Sequence, residues 1–213
     1  MEWQLFADVP PEALRQLLAI ARRRTFARGE VVFHRDDPAN ALHLIVAGRF
    51  AVAITTPLGD TAMLAVRGPG DAFGELALVS GGEAVRSATV SALEPAETRS
   101  VLREEFTRLR REHPSVDSVL AAILTERVRR LSERLTEAYF LSAEARVLRR
   151  LAELAELYGG AVPLPQEALA ELAGTSRATV NRVLREQQRR GHIRLSRAKI
   201  VVGEAMVSGG GGI

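Results

Sequence analysis

The 213-residue chain contains no cysteine, which excludes disulfide bridges, thiolate zinc sites, iron–sulfur clusters and a cysteine nucleophile. Lysine is almost missing as well: of 29 basic residues, 28 are Arg and only Lys199 is Lys. There is little surplus charge. Against 26 acidic residues the formal net is +3, so a pI near 10.1 reflects a small excess of a very strong base and by itself says nothing about nucleic acid. No uncharged apolar run approaches the roughly 20 residues of a membrane span. The opening stretch MEWQLFADVPPEALRQ mixes charges with two prolines and lacks a signal-peptide core. A cytoplasmic protein with no membrane partner is expected. The four histidines, His34, His43, His113 and His192, are scattered and read as ordinary surface or core residues, so no metal site is expected. No catalytic constellation is visible, and an enzyme is not expected. What remains is a chain 46% apolar and 26% charged, able to bury a core and long enough for one or two domains.

The texture changes twice along the chain, without internal repeats. Residues 1 to 24 read as helix, opened by Pro10-Pro11, with Leu14, Leu17, Leu18 and Ala21 at helical spacing. From about Thr25 to Leu102 there are short apolar runs: Val31–Phe33, Leu42–Val46, Phe50–Ile54 and Ala62–Val66. Glycine-containing turns separate them, as in a β-sandwich or barrel. After Pro114 the period becomes helical for almost thirty residues. Ala121, Leu124, Val128, Leu131, Leu135 and Ala138 form an a/d seam with Arg and Glu on its flanks. Such a helix could pack on its own barrel. The narrowness of the stripe and its charged flanks favour a two-chain coiled coil, hence a homodimer.

Further on, Ser142 is a candidate N-cap for a helix over 143–157, stopped by Gly159-Gly160, and a short strand is expected over 161–164. Gln166–Ala173, a turn at Gly174 and a second helix from Ser176 to about Arg190 have the layout of a helix-turn-helix. Leu169, Leu172 and Ala173 would meet Val180, Val183 and Leu184, leaving Arg177, Thr179, Asn181, Arg182 and Arg185 outward. Arg forks suit guanine O6 and N7, and Thr and Asn suit phosphates or base edges. Strands Ile193–Leu195 and Lys199–Val202 would form a wing whose Arg197 and Lys199 meet the DNA backbone. Between Thr175 and Lys199 eight basic residues face one acid, Glu186. A solvated basic face would look similar; the wing favours DNA.

The stretch GDAFGELAL from Gly70 to Leu78, followed by RSAT from Arg86 to Thr89, carries the other chemistry. Gly74 permits a turn whose backbone N–H groups form an anion nest. Arg86 supplies a cation, Ser87 a hydroxyl donor and Glu75 an acceptor, a set that matches a ligand anionic at one end and hydroxylated at the other. A ribose phosphate fits. A structural Glu75–Arg86 ion pair beside a turn would fit equally well.

These segments together resemble the cyclic-AMP receptor protein/FNR superfamily of bacterial transcription regulators, from about Leu5 to Val202. The resemblance rests on Leu42–Gly48, the cassette GDAFGELAL…RSAT, the junction Phe140-Leu141, and SRATVNRVL. It implies an α+β fold: a cyclic-nucleotide-binding β-roll of jelly-roll type over 1–113, a dimerisation helix and hinge over 114–141, a winged helix-turn-helix over 142–207, and a flexible tail over 208–213. It also implies that Glu75 takes the ribose 2′-OH and that Arg86 pairs with the cyclic phosphate, with Gly74, Leu76 and Ser87 completing the cradle. Arg127 would approach the ligand or Glu75. The Thr and Ser that contact adenine in cyclic-AMP-binding members fall on Leu131 and Ser132. The family's reading set of Arg, Glu and Arg falls on Arg177, Ala178 and Arg182, with Ser176 opening the helix. The implied function is a homodimeric regulator that binds a pseudo-palindromic DNA operator under allosteric control by cyclic AMP or a related cyclic nucleotide, with no covalent cofactor. RNA polymerase is an implied partner. Three alternatives stay open: an effector-independent regulator, one that responds to another small anionic ligand, and an enzyme or enzyme-regulatory subunit built on the nucleotide cassette.

Overall fold

The computed structural model describes residues 4–56, 59, 61–79, 84–196 and 199–203. The chain groups into two units, one of residues 1–54 and 65–132, the other of residues 55–64 and 133–213.

In the first unit a 3₁₀ turn, Gln4–Phe6, precedes helix α1 (Pro11–Ile20), which buries Ala13 and Leu17. The helix ends earlier than its apolar spacing suggests. Ala21 is already extended, and Arg22–Phe26 is strand β1, paired antiparallel with β8 (Ala96–Leu102). Three consecutive arginines conceal this strand from an apolar count. They are drawn into it by carboxylates: Arg23 pairs with Glu97 of β8 at 2.7 Å, and Arg22 with Glu105 at 2.8 Å. The other strands are β2 (Val31–Phe33), β3 (Ala41–Ala47), β4 (Phe50–Thr55), β5 (Thr61–Arg67), β6 (Ala72–Phe73) and β7 (Thr89–Ala92). They form two four-stranded sheets, ordered β1-β8-β3-β6 and β2-β7-β4-β5.

Side chains alternate across β3, and this alternation separates two cores. Ile45 joins Phe26, Phe50, Phe73 and Val90 in an aromatic layer drawn from both sheets. Leu42 and Leu44 point the other way, into a cluster closed by α1, by α3 (Arg103–Glu112) and by the start of α4 (Asp117–Phe140). A 3₁₀ turn, Pro114–Val116, leads into α4. Along α4, Val119, Leu120 and Ile123 are buried in that cluster. The a/d seam lies on a different stripe: Ala121 and Ala138 are exposed, Leu124 is half-buried, and Val128, Leu131 and Leu135 are 64%, 69% and 58% exposed. One helix therefore carries both expected patterns, an inward stripe for its own unit and an apolar stripe left open.

In the second unit α5 (Ala143–Tyr158) is capped by Ser142, whose hydroxyl accepts from the Ala145 N–H at 3.2 Å. Glu137, near the C-terminal end of α4, is buried and receives Arg149 at 2.9 Å and also Arg150. Beyond Gly159, β9 spans only Ala161–Val162, shorter than 161–164, because Pro163 supplies no ladder N–H. Helices α6 (Gln166–Ala173) and α7 (Arg177–Arg189) follow, then strands β10 (Ile193–Ser196) and β11 (Lys199–Val202). The three strands form a sheet of order β10-β11-β9. Arg197 and the tail 208–213 lie outside the described residues. Among the described residues no helix is long and apolar enough to cross a membrane.

Candidate functional site

Arg86 is the centre of the nucleotide-like cassette, and it is 5% exposed. The segment before β7 is held by backbone bonds: Arg86 N–H donates to Asp37 O, and Asp36 N–H donates to Arg86 O, both at 2.9 Å. The side chain then runs inward. Its guanidinium lies 3.9 Å from the ring centroid of Phe33, and Nη1 donates to Ala41 O at 2.8 Å. Burial pulls the guanidinium down to a pKa of about 10, opposed by Asp37 and Glu75 and assisted by Arg103, so it stays charged at neutral pH. Gly74 has φ +81°, and a Cβ there would come within 2.7 Å of Arg86 Nη1 and 2.8 Å of Ala41 O. The backbone and the cation can approach this closely only because residue 74 lacks a side chain.

Glu75 does not pair with Arg86 in the way the structural alternative supposed. It is held from α4: Arg127 Nε lies 3.4 Å from Glu75 Oε1. Arg127 also donates to Ala72 O and, at 3.3 Å, to Asp71 Oδ1. Asp71, quoted in the cassette but given no role by the sequence, is a buried hub. Its Oδ1 also accepts the Ala72 N–H at 2.7 Å, and its Oδ2 meets Arg67 Nη1 at 3.0 Å and Arg130 Nη1 at 3.5 Å. Burial pushes this carboxyl up, but Arg67, Arg127 and Arg130 together hold it below the usual carboxylate range. Burial also lowers Arg67, to about 10, against the attraction of Asp71. A signal for part of the hub was present, since Arg67 and Asp71 stand four apart across the turn Gly68-Pro69-Gly70. The partners on α4 are far away in sequence, and no local pattern reveals them.

The remaining cassette residues are more open. Leu76, on the short helix α2 (Leu76–Val79), is 40% exposed, and Ser87 is exposed. On α4, Leu131 and Ser132 are exposed. Two buried nitrogens of this region, Arg86 Nε and Arg127 Nη1, have no hydrogen-bond partner among the described residues. An orphaned buried donor is costly unless something accepts from it. A ligand bringing anionic oxygens and hydroxyls between Arg86, Glu75 and Arg127 would supply those acceptors.

In the second unit Gly174, in the left-handed conformation, turns α6 into α7. Leu169, Leu172 and Ala173 pack with Val180, Val183 and Leu184, all buried. Ser176 caps α7, accepting from the Thr179 N–H at 3.2 Å and sharing a hydroxyl contact with Thr179 at 3.0 Å. Thr179 and Asn181 are half-buried, and Asn181 donates to Gln166 at 3.1 Å. Both side chains are used locally, one at the cap and one tying α6 to α7. The outward face is left to Arg177, Arg182 and Arg185, with Lys199 exposed on β11. Among the described residues no group of three or more ligating side chains could hold a metal ion.

Comparison with known proteins agrees with both halves of this arrangement. Residues 23–113 match the cyclic nucleotide-binding domain, and residues 145–204 match the Crp-like helix-turn-helix domain. The chain is 37% identical over 204 residues to the cyclic AMP receptor protein of Thermus thermophilus, covering 94% of this chain and 93% of that one. It is 30% identical over 209 residues to a CRP-like cAMP-activated global transcriptional regulator of Mycobacterium tuberculosis, covering 94% and 92%. In fold it is similar to a c-di-GMP-responsive global regulator of Xanthomonas campestris, with a TM-score of 0.76, 22% identity, and coverage of 91% of this chain and 99% of that one.

Proposed function

We propose that this chain, which belongs to the cyclic-AMP receptor protein/FNR family of transcription regulators, is a homodimer whose binding to operator DNA is controlled by a cyclic nucleotide, cyclic AMP first among them. The two relatives described above, each covering over nine-tenths of the chain, are a cyclic AMP receptor protein and a transcriptional regulator. The observation that carries the reading is the buried Arg86 beneath Gly74, with one nitrogen satisfied by Ala41 O and another, Nε, left for an incoming oxygen.

In this reading Arg86 holds the cyclic phosphate, with the Gly74 backbone and the Ser87 hydroxyl beside it and Leu76 against the sugar. Glu75 accepts the ribose hydroxyl. That acceptance competes with Arg127, which holds Glu75 at 3.4 Å from α4. Ligand in the cassette thus alters what Arg127 pairs with, and the change is felt directly on the helix that carries Leu131 and Ser132. The open stripe of Val128, Leu131 and Leu135 supports α4 as the dimer seam, with Ala121, Leu124 and Ala138 extending it. Differential affinity for two arrangements of the dimer is all the ligand needs to shift their populations. The favoured arrangement would present the two α7 helices to successive major grooves, one DNA turn apart. Arg177 and Arg182 would read guanines, while Ser176, Thr179, Asn181, Arg185, Arg197 and Lys199 would serve the backbone. RNA polymerase is the machinery such a dimer would act on.

A second reading, a regulator that needs no effector, is favoured by one observation: Glu75 is already paired with Arg127. Isothermal titration with cyclic AMP and cyclic GMP separates the two, paired with an electrophoretic shift on DNA selected from a random pool, with and without nucleotide. Heat of binding and a nucleotide-dependent shift are expected. No heat at millimolar nucleotide, with an unchanged shift, would overturn the effector half.

A further inference from the structure

Two of the three arginines that α7 turns outward, Arg177 and Arg182, already have carboxylates beside them. Arg182 Nη2 lies 2.6 Å from Oε1 of Glu144, in the first turn of α5. Arg177 Nε lies 3.9 Å from Oε2 of Glu167, in the first turn of α6. Both pairs are more than half exposed, so as stabilising devices they contribute little. Their placement matters more than their strength. A carboxylate on Arg182 stands where a DNA phosphate or base edge would have to come, with the same charge as the first and the same kind of acceptor oxygen as the second.

We infer that Glu144 is an autoinhibitory contact for DNA binding, holding Arg182 until a phosphate or base edge displaces it. The inference rests on α7 being the helix that faces DNA. On a random duplex Arg182 exchanges one anion for another: it leaves Glu144, gains a phosphate, and strands the carboxylate beside the phosphodiester backbone. Little is gained. On a duplex with guanine at the right place, the same guanidinium forks onto O6 and N7, two bonds in place of one, and the exchange is favourable. Releasing Arg182 from Glu144 costs the same on either duplex, so Glu144 lowers the affinity for both, and the two bonds to guanine offset that cost where one phosphate contact does not. Glu167 acts on Arg177 in the same sense, more loosely at its longer distance.

The test is fluorescence anisotropy with the full chain on two duplexes, one selected from a random pool and one with its sequence scrambled, from 50 to about 200 mM salt. An exposed pair of this kind corresponds to a factor of up to about five in an equilibrium constant. Glu144→Gln is expected to bind both duplexes tighter, by up to about fivefold. The slope of log affinity against log salt on the scrambled duplex should steepen by about one, since one more cation is available to phosphates. In an Arg182→Ala background Glu144→Gln should change neither duplex, as expected if the carboxylate acts through that arginine. No tightening on either duplex, or an effect that survives in Arg182→Ala, would overturn the role of Glu144. A wild-type chain that binds neither duplex at any salt would overturn the DNA reading itself, a result distinguishable from the other two.

Discussion

Replacing Asp71 by Asn tests whether the hub beneath the cassette is structural. The substitution keeps shape and removes charge. It leaves Arg67 Nη1 facing an uncharged amide at 3.0 Å in place of its carboxylate, and leaves Arg127, whose Nη2 lies 3.3 Å from residue 71, with Glu75 as its carboxylate. The Arg67 and Arg127 side chains are 9% and 15% exposed, so neither can recover full hydration. Arg130 is different: at 42% exposed, with Glu126 as a second partner, it loses little. Removing one partner of a buried ionic set costs about 3–5 kcal/mol, and the lower figure suits a site of which one member stays wet. For a chain of this size about 3 kcal/mol corresponds to a drop of roughly 6–12 °C in melting temperature. Thermal unfolding of Asp71→Asn followed by circular dichroism, beside Arg130→Gln as the exposed control, measures it. The control is expected to lose less than about 1 kcal/mol.

The pH dependence carries the same logic. The folded-state pKa of Asp71 lies below its ordinary value, so the stabilisation it gives is complete above that ordinary value and disappears as pH falls through the folded pKa. The gap between wild type and variant should stay flat from pH 5 to about 8 and close only under strong acid. A variant that melts within about 1 kcal/mol of wild type, or no worse than Arg130→Gln, would refute the reasoning by showing that the hub is solvated.

Two further predictions follow from other layers of the fold. His43 is buried among aromatic rings, stacked on Phe73 at 4.9 Å, and desolvation, with help from Arg86 and Arg24, lowers its pKa to about 3. Between pH 6.5 and about 3 the unfolded chain therefore binds a proton that the folded chain refuses, and stability falls as pH falls. Wild type should lose about 2 kcal/mol between pH 7.5 and 5 that His43→Phe keeps, read from urea midpoints at the two pH values; parallel losses would refute this. On α4, Leu135→Glu places a charge on a side chain 58% exposed in the single chain. The monomeric fold should change by less than about 0.5 kcal/mol, while sedimentation velocity should show the dimer mass replaced by the monomer; a dimer that persists would place the seam elsewhere.

Much of this architecture was legible because its signals are local. Gly174, Ser176 and the apolar residues of α6 and α7 specify the helix-turn-helix within twenty residues, and the helix bounds differ from expectation by a residue or so. Strands β3 and β4 show themselves as apolar runs between glycines. Strand β1 could not, since Arg22–Arg24 carry no apolar period and are extended because β8 and its carboxylates lie alongside. Helix α3 was hidden for a related reason: Phe106 and Leu109 are its buried residues, too few to show an apolar period among its charged positions. In the cassette the residue types were visible and the partners were not. Proximity alone left a Glu75–Arg86 pair open, while the family resemblance pointed to Arg127, which a helix fifty residues away brings to Glu75.

The Arg127 contact bears on how such a protein can respond to a ligand at all. Had Glu75 and Arg86 simply paired, a nucleotide would have separated two groups within one turn, with no reason for the effect to leave it. Arg127 changes the connectivity. It belongs to the helix that displays the open apolar stripe, yet three of its contacts, Asp71, Ala72 O and Glu75, lie in the cassette. A ligand hydroxyl that takes Glu75 leaves Arg127 anchored by Asp71 and the carbonyl, so α4 stays attached to the cassette while one of its bonds is exchanged. The attachment through Asp71 is what would let a local exchange bias the helix and not merely loosen it. Charge follows the same division of labour. Residues 1–113 carry fourteen basic and fifteen acidic side chains, and residues 143–213 carry eleven and seven. The cassette is balanced, so that a single anion or hydroxyl can tip it; the surplus is kept for the helix and wing that would meet a polyanion, and there Glu144 restrains it.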